Sequence, residues 1–227
     1  MKILAIETAT MLGGLAIMDG DTLLAESRIN VRATHSERLM KELDHMLSVT
    51  GLDLREIDVF GVSAGPGSFT GLRVGFSTIK GLVYSTGKKL VTVPTLEALA
   101  WNVPFAKYSV CPLLDARRKE VYGALFKWMG CNFARLITEQ AIKISDLLTK
   151  IEEPTIFLGE GALLNKDMII NTLNDKAHFG DPQQMMPSPA NVAALCMKKA
   201  IAGDFADAMT AVPAYLRRSE AEIKFGI

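Results

Sequence analysis

The chain carries no excess of charge: 25 Lys and Arg stand against 25 Asp and Glu in 227 residues, a formal net charge of zero. It therefore has no global basic field to gather nucleic acid, and any RNA role needs a local patch or a partner. Cysteine is scarce. Cys111, Cys131 and Cys196 are odd in number, widely spaced and form no C-x-x-C pair, so a reduced, cytoplasmic setting is expected. Long hydrophobic runs are missing as well. The longest apolar stretches fall well short of a membrane span, and Met1-Lys2-Ile3-Leu4 leads straight into a strand pattern, so neither a membrane anchor nor a signal peptide is expected. The remaining composition, 49% hydrophobic and 22% charged, is that of an ordinary globular protein with room for one large domain or two compact ones.

What is present is a long glycine-rich turn. Ser63-Ala64-Gly65-Pro66-Gly67-Ser68-Phe69-Thr70-Gly71-Leu72-Arg73 follows an apolar run at 57–62 and opens a helical pattern that continues to Thr86. Strand, Gly-rich turn and helix start make the architecture of an anion cradle. The spacing fits no nucleotide fingerprint, however. G-x-G-x-x-G needs Gly where Thr70 stands, and a Walker A loop needs a Gly-Lys pair that the chain lacks here. Pro66 removes one amide donor, which makes a poorer phosphate cradle. Gly65 and Gly67 are expected at positive φ around a turn fixed by Pro66, so that the loop sets the angle of the helix behind it.

The order of elements suggests a duplication. Lys2–Glu7 reads as a strand, and 14–18 and 22–27 flank the hairpin signal Asp19-Gly20-Asp21. Thr34 and Glu37 have capping-box spacing, and Leu39, Met40, Leu43, Met46 and Leu47 recur at helical spacing up to Gly51. A strand at 57–62, a helix at 70–86, a strand at 89–93 and a short helix at 95–101 follow. The second half repeats this order: strands at Ser109–Asp115, 121–127 and 133–142, a helix at 145–151 capped by Ser145, a strand at Thr155–Leu158, and helices at 161–173 and 190–202. Three antiparallel strands followed by αβαβα form a ribonuclease-H-like unit, and two in tandem make the actin-like ATPase architecture shared with hexokinase and Hsp70. The boundary is expected near 102–107, giving lobes at 1–104 and 105–227, with the last segment packing back on the first lobe. In that architecture nucleotide is held by the turns after the first strand of each half, here Glu7-Thr8-Ala9-Thr10 and Asp115-Ala116-Arg117-Arg118. Each begins with an acidic residue suited to magnesium or water.

Several motifs together resemble one family. They are Ile3-Leu4-Ala5-Ile6-Glu7-Thr8, His35-Ser36-Glu37, the loop from Gly65 to Arg73, Lys80-Gly81-Leu82, Asp115-Ala116-Arg117-Arg118-Lys119-Glu120-Val121-Tyr122, and Pro213-Ala214-Tyr215-Leu216-Arg217. They run from end to end and resemble the bacterial TsaB/YeaZ family, once labelled glycoproteases. One departure is Glu7, where the family more often has Asp. The resemblance implies a non-catalytic partner of the larger paralogue TsaD, which transfers threonylcarbamoyl to adenosine 37 of tRNA. It implies that the ATPase TsaE docks on the pair, that tRNA is met only through the complex, and that the chain forms a homodimer when the paralogue is absent. Members bundle through the two long helices of the first half, which points to Ser36, Leu39, Met40, Leu43, Met46 and Leu47 on one helix. On the other it points to Thr70, Gly71, Arg73, Gly75, Thr78 and Leu82. No cofactor is intrinsic; ATP or ADP is implied near the partner boundary, with Glu7, Thr8, Thr10, Asp115 and Arg117 as vestigial nucleotide contacts.

The residues themselves argue for scaffold over catalyst. The paralogue binds metal through His-x-x-x-His, but here the segment reads His35-Ser36-Glu37-Arg38-Leu39, and no H-E-x-x-H occurs, so no metal site is expected. No Gly-x-Ser-x-Gly elbow surrounds Ser68 or Thr70. The helix after the loop has two rows. Leu72, Phe76, Ile79 and Val83 are bulky and suited to the chain's own sheet. Gly71, Gly75, Thr78 and Leu82 are mostly small and would let a partner helix approach. Gly75→Leu is accordingly expected to spare the fold and abolish pairing. An independent ATPase of the same fold, a metallopeptidase and a structural dimer are the alternatives. The first two predict magnesium-dependent ATP turnover and stoichiometric metal, respectively.

Overall fold

A computed structural model of the chain describes residues 1–30 and 35–217, the side chains of His35 and Ser36 excepted. The capping box at Thr34, the His35 side chain and Arg218 lie outside the described residues. The chain forms two compact units. The first comprises Met1–Ala98 and Pro187–Ala214, the second Leu99–Met186 together with the chain from Tyr215.

In the first unit, β1 (Lys2–Glu7), β2 (Leu12–Asp19) and β3 (Thr22–Asn30) form an antiparallel meander turning at Gly20 (φ 55°). α1 (His35–Thr50) leads to β4 (Val59–Gly65), α2 (Phe69–Thr86) to β5 (Lys89–Pro94), and α3 (Thr95–Ala100) follows. β4 and β5 pair in parallel with β1, giving the order β3-β2-β1-β4-β5. The strand expected from residue 57 begins at Val59 because Asp53 and Glu56 form a capping box around a 3-10 turn at Leu54–Glu56. Ile3, Leu4, Ala5 and Ile6 are all buried because both sheet faces are covered, which is why β1 reads as a continuous apolar run. One face packs on α1 and α2 through Leu4, Ile6, Leu39, Leu43, Phe76 and Ile79. The other meets α7 (Pro189–Ile201), which lies on β1, β2 and β4. α7 thus belongs to the first unit although it lies beyond the expected boundary. Past α7 the chain pairs Ala206 with Leu90 at the edge of β5, and the Ala214 amide donates to the Ala64 carbonyl (2.7 Å).

The second unit repeats the arrangement. β6 (Ser109–Asp115), β7 (Glu120–Trp128) and β8 (Phe133–Lys143) form the meander; α4 (Ile144–Leu148), β9 (Thr155–Leu158), α5 (Glu160–Leu164), α6 (Lys166–Leu173) and β10 (Ala177–Phe179) follow. The order β10-β9-β6-β7-β8, reversed, is that of the first sheet. The expected single helix at 161–173 is broken at Asn165, whose side-chain amide donates to the Gly161 carbonyl (2.8 Å). α4 begins one residue early, with Lys143 at its cap and no side-chain cap bond; the Ser145 hydroxyl turns to Asp146 instead. β10 was not expected, being only three residues long.

Candidate functional site

The glycine loop docks on its own chain. The Ser68 amide donates to the Ala9 carbonyl (2.7 Å), and the Ser68 hydroxyl, as N-cap of α2, accepts from the Gly71 amide (3.2 Å). Gly65 takes positive φ (108°), as expected. Gly67 does not; it is required because a Cβ there would collide with Ala9. A Cβ at Gly71 would strike the Thr8 carbonyl, and one at Gly75 the Thr8 hydroxyl. The small row of α2 is therefore the face on which the end of β1 rests. This corrects the interface assignment of Gly71 and Gly75, and with it the expectation that Gly75→Leu would spare the fold.

Beneath the loop lies a buried carboxyl. Glu7 accepts from the Ala9 amide (2.6 Å) and from the Ser63 hydroxyl, and is wholly inaccessible. Desolvation pushes its pKa up to about 7, against the two hydrogen bonds that favour the anion. The Thr8 hydroxyl is buried and has no hydrogen-bond partner among the described residues, and the Thr10 hydroxyl donates to the Leu12 carbonyl (2.8 Å). Three amides of this region are bonded within the chain: Ala9 to Glu7, Ser68 to Ala9 and Gly71 to Ser68. Glu7, Thr8 and Thr10, expected as nucleotide contacts, are all buried at the end of β1. Asp115 and Arg117 stand at the end of β6 in the second unit, paired with each other at 3.3 Å. Among the described residues no three His, Cys, Asp or Glu side chains converge as a metal site, and no helix is long and apolar enough to cross a membrane. Cys111 and Cys196 are buried, and burial raises both thiols, Cys196 to about 12, leaving them inert.

The outer face of α1 and α2 carries only part of the expected set. Leu39, Leu43, Met46 and Leu82 fill the first unit's core, and Leu47 packs partly against it, so none offers a free partner surface. Thr78 is half-buried and the Ser36 side chain is not described. Met40, Thr70 and Arg73 remain exposed, with the Arg73 guanidinium 3.9 Å above the Phe69 ring. α2 continues this exposed row through Ser77, Gly81 and Tyr84, the last 88% accessible. These residues follow Thr70 at steps of three and four, a helical spacing present in the sequence but overshadowed by the glycines.

Three comparisons bear on this arrangement. The family model described as TsaD, tRNA N6-adenosine threonylcarbamoyltransferase, matches residues 23–225. The TsaB protein of Bacillus subtilis, a tRNA threonylcarbamoyladenosine biosynthesis protein, is 33% identical over 228 residues, covering 99% of this chain and 98% of its own length. Escherichia coli TsaB is 33% identical over 130 residues, 56% of this chain and 55% of its own. Among solved structures, a YeaZ-like protein from Pseudomonas aeruginosa superposes with a TM-score of 0.83 at 20% identity, covering 95% of this chain and 99% of its own. Component A of the Acidaminococcus fermentans 2-hydroxyglutaryl-CoA dehydratase, of the actin-like ATPase fold, reaches 0.51 at 11% identity, over 88% and 99%. With two sheets of one topology and motifs matched along its whole length, the chain belongs to the TsaB/YeaZ family, whose curated members are tRNA threonylcarbamoyladenosine biosynthesis proteins.

Proposed function

We propose that this chain is the cytoplasmic, non-catalytic partner of a TsaD-type threonylcarbamoyltransferase and holds it in an active form through the outer face of α1 and α2. The observation that carries the reading is the division of α2. Its glycine row is filled by the chain's own Thr8, while Thr70, Arg73, Ser77, Gly81 and Tyr84 stand free of the core. An exposed Tyr beside small residues suits a helix that buries against another, since large rings anchor interfaces and small residues admit close approach. The Ala9, Ser68 and Gly71 amides bonded within the chain, and the amide donor that Pro66 removes, speak against hydrolysis by this chain alone. ATP or ADP then belongs to the assembled complex, where a TsaE-type ATPase docks, and tRNA is engaged only by that complex. Without the paralogue the same face pairs two copies.

Reconstitution tests this directly: tRNA modification is measured from purified components with and without the chain. Modification that proceeds equally well without it sinks the reading, as would magnesium-dependent ATP turnover by the isolated chain. Within the complex, Tyr84→Asp is expected to lower co-elution with the paralogue while leaving the monomer folded.

A further inference from the structure

The turn joining β6 to β7 is built against the preferences of its residues. Arg117, Arg118 and Lys119 take φ of 64°, 52° and 65° in succession. Left-handed backbone is strained for any residue with a Cβ, and it is normally visited one residue at a time. The conformation is held from its base. The Arg117 amide donates to the Asp115 carboxylate (2.8 Å), the Glu120 amide to the Arg117 carbonyl (3.0 Å) and the Ala116 amide to the Glu120 carbonyl (3.1 Å). Arg217 braces the same base, donating to the Ala116 carbonyl (2.9 Å) and pairing with Glu120 (3.3 Å). Strain maintained at an exposed position by a bonded frame points to a use for that conformation.

The charge is arranged to match. Arg117 pairs with Asp115 yet leaves 81% of its side chain accessible. Arg118 and Lys119 are exposed and, among the described residues, have no ion-pair partner. Glu120 is occupied by Arg217. A chain of zero net charge thus projects three cations on a preset backbone. Ala116 and Val121 on either side are buried, so the tip offers charge without an apolar anchor. Protein interfaces draw most of their energy from such anchors, whereas phosphate backbone is held largely by cations and needs no apolar anchor, and guanidinium forks match phosphate oxygens.

We propose that the 117–119 turn is a contact for RNA phosphate backbone, made when tRNA sits on the complex of this chain with its transferase. This rests on the partner reading above.

The test uses the purified complex and an unmodified tRNA transcript, with binding measured by filter retention over a series of KCl concentrations. Arg118→Gly with Lys119→Gly removes two cations and relieves two strained positions, so loss of fold cannot imitate loss of contact. The double variant is expected to bind about tenfold more weakly near physiological salt, with a salt slope shallower by between about one and two. Lys88→Ala with Lys89→Ala, an equal loss of charge on the first unit, is expected to bind as the native complex does. Equal binding by native and double-glycine complexes, retention by neither, or an equal loss in the lysine control overturns the proposal. So does normal tRNA binding with lost co-elution, which would mark an acidic protein surface as the occupant. If modification depends on the chain but the double-glycine complex binds normally, this inference alone falls and the partner reading stands.

Discussion

Each unit lays its five strands in the same spatial order, yet the crossovers that join the strands differ in length. In the first unit α1 has 16 residues and α2 has 18; in the second α4 and α5 have five each and α6 has eight. A helix of four or five turns buries one stripe and keeps a full outer face, whereas a helix of five residues has hardly more than one turn to present. The surface suited to receiving a helical partner therefore lies on the first unit. The turn after the leading strand differs in the opposite sense. After β1, Thr8, Ala9 and Thr10 are buried beside the glycine loop, whereas after β6 Arg117, Arg118 and Lys119 are exposed and cationic. One device is nevertheless common to both units. Gly67 and Gly71 let the crossover loop rest on Ala9 and Thr8, and Gly159 and Gly161 do the same on Leu113 and Leu114. The scaffold was kept and the exposed chemistry diverged, as expected where function resides in sites rather than in the fold.

The sharpest way to break this comparison is to put side chains on the two kinds of glycine in α2. Gly75→Leu drives four carbons into the Thr8 hydroxyl at the end of β1, and is expected to cost about 3 kcal/mol or more in urea unfolding. Gly81→Leu meets nothing within 4 Å and, by raising helix propensity, is expected to be neutral or stabilising by up to about 1 kcal/mol. Equal destabilisation by the two would mean that α2 does not divide into a packed row and a free one.

That pair of glycines also shows how far the sequence could be read. Apart from the three-residue β10, the strands were legible, as were the meander at Gly20, the end of α1 at Gly51 and the duplicated order, because period-two runs and turn residues are local signals. The bulky row Leu72, Phe76, Ile79 and Val83 was legible too, since only the core accepts four such residues in line. The small row was misread. Close approach is written into Gly71 and Gly75, but their sequence does not say whether the approaching backbone belongs to a partner or to the chain's own β1, more than 60 residues away. Leu39, Leu43 and Met46 failed similarly, because an amphipathic stripe looks the same whichever body covers it. The left-handed run at 117–119 left no signal at all, since Arg and Lys are not residues that announce positive φ.

The buried carboxyl provides a second contrast. Folded chains hold the Glu7 proton up to about pH 7, while unfolded chains release it near 4.5. Folding thus takes up a proton within that window, and stability falls as pH rises through it. A displacement from 4.5 to about 7 corresponds to about 3 kcal/mol at about 1.4 kcal/mol per pH unit. Glu7→Gln keeps an acceptor for the Ala9 amide and a donor for Ser63 without ionising. It is expected to exceed the native chain in stability at pH 8 by up to that amount, and to match it near pH 4.5. Parallel stability curves for the two proteins would show that Glu7 is not the buried proton site.

A smaller effect separates the helix starts. Glu26 of β3 accepts from the Ser188 hydroxyl (2.5 Å) and from the Ala190 amide (3.2 Å), closing the N-terminus of α7 with a negative charge. α4, with no side-chain cap bond, has no counterpart. Glu26→Ala is expected to cost about 1–2 kcal/mol in thermal or urea unfolding, and Ser145→Ala less than about 0.5 kcal/mol. Similar losses from both would erase this difference between the units.

The last contrast concerns the first turns, and its sign is unusual. Most substitutions to glycine weaken a protein, because glycine gives the unfolded chain more freedom to lose. At Arg118 the native φ of 52° is one that glycine adopts without penalty, whereas a residue with a Cβ pays about 1–2 kcal/mol for a left-handed conformation. The relief outweighs the added entropy, which is at most about 1 kcal/mol. Arg118→Gly is therefore expected to raise stability by a few tenths to about 1 kcal/mol, read as a shift of the urea midpoint at unchanged slope. At Ala9, on the equivalent turn of the first unit, no such relief exists, and Ala9→Gly is expected to lower it by about 0.5–1 kcal/mol. A loss at Arg118 as large as that at Ala9 would mean that the basic turn carries no strain, leaving its conformation without a cost for a bound phosphate backbone to justify.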